Sequence, residues 1–156
     1  MGVPNLKKIM PRLYSFTNKY LSDIQRGIQT AHLVSQFTNK YLLGTESKTD
    51  ASSQVVSWSL ICKDIIVFNG GNSEQLGITL ELFRNPRNKY PFAVFRESDE
   101  SLNGALTAVG IILPDLFKSK EDRNYMITKI SSGDSYLPED IMDGQLAELL
   151  NKSRLA

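Results

Sequence analysis

The chain is expected to fold as one α/β domain, a mixed sheet of four or five strands with helices on both faces. Three observations predict it. Apolar segments of strand length, Trp58–Phe68 foremost, alternate along the chain with amphipathic stretches of helical period. Turn residues mark the joins, most clearly Asn69-Gly70-Gly71-Asn72. The 156 residues, 41% hydrophobic and 22% charged, suit a single core. Residues 1–11 read as a polar lead-in closed by Pro11, and residues 12–156 as the domain.

The elements follow in order. Arg12–Thr17 alternates Leu13, Ser15 and Thr17 against Tyr14 and Phe16, the period of a short strand. Ser22 and Asp23 offer an N-cap, and a helix is predicted over about 21–43. Its stripe of Ile24, Ile28, Ala31 and Ser35 is expected to pack on the sheet. The Ser- and Thr-rich stretch 44–57 reads as a loop. Trp58–Phe68 reads as a central strand because its apolar run is nearly continuous. Ser73 and Glu74 cap a helix carrying Leu76, Leu80 and Phe83, which ends near Asn85-Pro86. Phe92–Phe95 and Leu106–Leu113 read as strands, Tyr125–Ile130 as a further short one, and Pro138–Lys152 as a helix. The hexapeptide FTNKYL occurs at 16–21 and again at 37–42, but two copies do not make a repeat architecture.

Eighteen basic against 17 acidic side chains leave a net charge of +1, so any attraction for anions must be local. With one histidine and one cysteine, the chain cannot build a two-Cys-two-His, four-Cys or three-His zinc site by itself, and neither metal nor cofactor is expected. The single cysteine also fits a reducing compartment. No apolar run approaches the roughly 20 residues of a membrane span, and no secretory signal is read at the N-terminus. The expectation is a cytoplasmic protein without membrane contact.

Three groups of residues carry chemistry. At about 100° per residue, Gln25, Gln29, His32 and Gln36 fall in one arc of the first helix. Three amides and an imidazole form a row of donors and acceptors suited to a sugar, a base edge or a phosphate ester. The same pattern also fits a solvated helix edge. Arg96, Glu97, Asp99 and Asn103 cluster between two late strands, where α/β folds place ligands, though a charged hairpin gives the same signature. Lys118, Lys120 and Arg123 form the third group, an anion-contacting edge or a mixed-charge surface. Phe95 or Trp58 is expected to stack a base, and Cys62 reads as an inert thiol.

Gln29-Thr30-Ala31-His32, the strand read at Trp58–Phe68 and the strand Leu106-Thr107-Ala108-Val109-Gly110 together resemble the type-II peptidyl-tRNA hydrolase family, the archaeal and eukaryotic kind. The resemblance covers roughly residues 12–113. It implies that family's α/β fold and a site at the first helix and the late strands. The family's Gln-x-x-His core matches Gln29 and His32. Its catalytic lysine falls at Gln25, its Asp-Ala-Gly-x-Thr segment is missing, and Leu33 follows His32 in place of alanine. Losing a cation that stabilises a developing oxyanion costs orders of magnitude in rate. In size and layout the chain is also similar to small phage anti-defence proteins, the Thoeris kind, that sequester cyclic nucleotide signals.

These resemblances imply a non-catalytic pocket for a nucleotide-type ligand, a cyclic nucleotide signal or an RNA end. It would be lined by Gln25, Gln29, His32, Gln36, Arg96, Asp99, Asn103 and Arg123, with Arg96 or Arg123 pairing phosphates, and completed in a homodimer or higher homo-oligomer. If phage-encoded, such a protein works in the host cytoplasm. Two alternatives stand beside it. One is an esterase of the peptidyl-tRNA hydrolase kind with His32 as base or water-orienter and Asp99 or Glu97 as its partner. The other is a protein-interaction module.

Overall fold

The computed structural model describes residues 10–44, 49–97 and 105–156. These form an α/β domain around a mixed five-stranded sheet in the order β3-β4-β1-β2-β5. Strand β1 (Arg12–Asn18) lies centrally, parallel to β2 (Ile65–Gly71) with Leu13 opposite Ile65, and antiparallel to β4 (Leu106–Leu113) with Ser15 opposite Gly110. Strand β3 (Phe92–Arg96) pairs antiparallel with β4 at one edge. The two-residue β5 (Arg154–Leu155) pairs antiparallel with β2 at the other.

The alternation in β1 divides the core into two layers. Leu13, Ala108 and Ile112 face Leu33 and Phe37 of α1 (Asp23–Phe37), together with Tyr41, Val55 and Trp58. Tyr14, Phe16, Val109 and Ile111 face α3 (Ser73–Phe83) and the antiparallel pair α4 (Lys120–Ser131) and α5 (Pro138–Lys152). Every residue of β4 is buried, as expected of a strand covered on both faces.

Helix α1 begins at a capping box in which Ser22 accepts from the Gln25 amide and the Gln25 side chain accepts from that of Ser22. The face it buries is not the one its apolar stripe predicts. Gln29, Thr30, Leu33 and Phe37 point inward, whereas Ile24 is 79% exposed, Ile28 is 49% exposed, and Ala31 and Ser35 are exposed. The rotation is fixed by Leu33 and Phe37 entering the core and by a 2.8 Å hydrogen bond between the buried hydroxyls of Ser15 and Thr30. Satisfied in this way, the polar pair carries little desolvation cost.

Three further expectations are corrected. The segment read as a loop contains helix α2 (Asp50–Ser57), capped by Thr49, which accepts from the Ser52 amide. The expected strand at 58–68 is helical over Trp58–Cys62, and β2 starts only at Ile65. A short apolar run does not distinguish a buried helical turn from a strand. Here Trp58 is buried beside Val55, and Lys63, at φ 54°, closes the helix by donating to the Trp58 carbonyl. Tyr125–Ile130 belongs to α4, which Ser119 caps and Met126 anchors in the core with Met142 of α5, so the fifth strand is β5.

Candidate functional site

The structure brings together only part of the sequence-predicted site. Gln29 is buried; its Nε2 donates to Glu97 Oε1 at 2.6 Å and its Oε1 accepts from Thr107 Oγ1 at 3.2 Å. His32 is exposed and lies flat on Phe95, with ring centres 4.3 Å apart and planes 9° from parallel. Gln25 serves the capping box, and Gln36 and Arg96 are exposed. Asp99 and Asn103 lie outside the described residues.

Arg123 is not part of this group. It sits on α4 in the opposite layer, where Nη1 donates to the carbonyls of Phe117 and Lys118 and Nε to Asn151 Oδ1. With those donors engaged, it works as a brace between the turn at Asp115–Phe117 and α5. Trp58 is likewise unavailable for a base, being buried and donating from Nε1 to the Asp64 carbonyl at 2.8 Å.

A different place has the geometry of a binding site. Helix α1 leaves β1 toward one face of the sheet, and α3 leaves the parallel neighbour β2 toward the other. Diverging connections open a crevice at the carboxyl ends of such strands, the place where open α/β sheets receive ligands. On the α3 side lies a cleft of ≈ 750 Å³. Its floor is Phe16, Asn69 and Gly70; α3 supplies Gln75, Ile78, Thr79 and Leu82, and α5 supplies Gln145, Glu148, Leu149 and Lys152. Each helix therefore presents residues at i, i+3, i+4 and i+7, a single stripe. Lys19, Ser153 and Arg154 complete the wall.

Local rules explain how the crevice is held. The Lys19 amide donates to the Gly71 carbonyl at 2.7 Å, and Asn18 Nδ2 reaches Ser73 Oγ and the Leu106 carbonyl, tying three strand ends together. Gly70 is required by close approach, because a Cβ there would overlap the Leu76 side chain and stand 3.2 Å from the Phe16 backbone. Gly71 has φ 84°, the left-handed conformation that glycine adopts without strain. It leads directly into the Asn72–Gln75 capping box that starts α3.

Among the described residues three cations and one carboxylate line the cleft, and none of Lys19, Glu148, Lys152 and Arg154 is in an ion pair there. The excess of positive charge in a partly apolar recess favours an anion that also carries apolar surface. Shifted titrations lie elsewhere and belong to packing. Burial raises the Asp143 carboxyl and pushes up the hydroxyl of Tyr90, which donates to Asp143 Oδ1 at 2.9 Å. Burial also raises the Tyr14 hydroxyl and the Cys62 thiol.

Sequence reasoning missed this cleft because its residues come from three separate stretches of the chain, 16–19, 69–82 and 145–154. The legible signal is the turn Asn69-Gly70-Gly71-Asn72 between a strand and the helix that follows it. Among the described residues no group of histidine, cysteine and carboxylate side chains is arranged to hold a metal, and no helix is long and apolar enough to cross a membrane. Comparison of the chain with protein families, with curated proteins and with solved structures finds no match.

Proposed function

We propose that the protein binds a small phosphate-bearing ligand of nucleotide type in the cleft between α3 and α5 and holds it without chemical change. The observation that carries this reading is the crevice at the carboxyl ends of β1 and β2, with Lys19, Lys152 and Arg154 on its wall. Phosphate oxygens pair with such cations, while Ile78, Leu82 and Leu149 offer apolar surface for a ring. Among the described residues the lining contains one carboxylate and neither histidine nor cysteine, a composition suited to retention over hydrolysis. His32, the base of the esterase alternative, belongs to the helix layer on the other face of the sheet.

Native mass spectrometry of the protein after incubation with a nucleotide extract tests the reading. An adduct of unchanged mass that is lost in Lys152→Glu supports it. Conversion of the ligand by the protein indicates an enzyme, and the lack of any adduct removes the proposal.

A further inference from the structure

The cleft has a direction. Helix α3 starts directly after β2, and β5, which follows α5, runs antiparallel to β2 with Arg154 opposite Asn69. Gln75 and Lys152 therefore lie at the carboxyl-end mouth of the cleft with Lys19 and Arg154, while Leu82 and Gln145 lie at its far end. At about 1.5 Å per residue, Glu148 stands roughly 6 Å below Lys152 along α5, and Gln145 roughly 10 Å below it.

This order matches the order of parts in a nucleotide. Read in this way, phosphates take the cationic mouth, the sugar lies at the depth of Glu148, Ile78 and Leu149, and the base reaches Leu82 beside the Gln145 amide at the far end. A carboxylate one turn below the phosphate cations repels phosphate but accepts two hydrogen bonds from a vicinal diol. Glu148 is exposed and in no ion pair among the described residues, so its oxygens are open to such donors.

We infer that Glu148 is a specificity-determining residue that accepts hydrogen bonds from the ribose 2′- and 3′-hydroxyls, so that the cleft prefers ribonucleotides to 2′-deoxyribonucleotides. The inference rests on the nucleotide reading above. Removing the 2′-hydroxyl removes one hydrogen bond to a charged acceptor and should weaken binding about tenfold.

Calorimetric titration with the common ribonucleoside diphosphates and their 2′-deoxy forms tests it on the parent protein, Glu148→Ala and Lys152→Ala. The expected result is a ribose preference of about tenfold in the parent. Glu148→Ala should abolish that preference, and Lys152→Ala should weaken both sugars by a similar factor and leave their ratio intact. Glu148 is exposed, so its truncation leaves the core unaltered; circular dichroism of the variant checks this. Equal affinity for the two sugars in the parent, or a preference that survives Glu148→Ala, overturns the role of Glu148 while leaving the nucleotide reading in place. Binding of no member of the panel overturns both.

Discussion

Gln29 on α1 and Glu97 just beyond β3 are joined by a 2.6 Å hydrogen bond, and Thr107 of β4 closes the other end of the same amide. Both ends of the Gln29 side chain are thus committed to joining the first helix to the sheet. Gln29→Ala should leave Glu97 and Thr107 without this partner and destabilise the fold by about 1–3 kcal/mol. Urea denaturation measures it, and an unchanged midpoint would show that the network adds nothing. The same variant should leave nucleotide binding in the α3–α5 cleft unaltered.

Arg123 should behave as a structural residue. Its truncation to alanine removes three hydrogen bonds, two to carbonyls in the turn before α4 and one to Asn151 of α5. A loss of about 2–3 kcal/mol is expected. Affinity for a phosphate ligand, measured by calorimetry where the variant is fully folded, should stay at the parent value.

Gly70→Ala should damage the cleft and the fold together. The added methyl meets the Leu76 side chain and the backbone of Phe16, so α3 must shift from the sheet at a cost of about 1–3 kcal/mol. Gly77→Ala is the control, since a Cβ there meets nothing within 4 Å. At this half-buried helix position the alanine should stabilise by about 0.5–1 kcal/mol. Thermal unfolding of both variants reads the contrast.

The pH dependence of stability should carry a contribution from Asp143. Burial raises its carboxyl above the ordinary value, against the lowering effect of the Tyr90 hydrogen bond. Folding therefore favours the protonated form. The stability this group contributes is complete below the unfolded value of about 3.9 and is lost as pH rises through the raised folded value. Asp143→Asn keeps an acceptor for Tyr90 and removes the buried charge, so it should stabilise the protein at neutral pH, with the gain vanishing in acid. Asp140 acts in the opposite sense. Ser135 and Lys129 hold its carboxyl low, so its contribution is present above the unfolded value and is lost as pH falls through the folded one. The difference between parent and variant in urea denaturation across this range isolates Asp143; a difference independent of pH would refute the assignment.

The α/β class and most of the elements are legible from residue pattern alone. Alternation placed β1, the apolar run at Leu106–Leu113 placed β4, and Ser22 placed the start of α1, while α3 is capped by Asn72, one residue before the expected Ser73. These are local signals, carried by neighbours within a turn or a pleat. Which face of α1 enters the core is set by partners far along the chain. Ile24 and Ile28 are more apolar than Gln29 and Thr30, yet Ser15, Glu97 and Thr107 supply partners that make the polar face the buried one. The helical state of Trp58–Cys62 is set in the same way, because Trp58 reaches the core from the end of α2. The cleft was beyond local reading for the same reason. Lys19, Gly70 and Arg154 come from distant parts of the chain, and they meet because β2 pairs with β1 on one side and with β5 on the other.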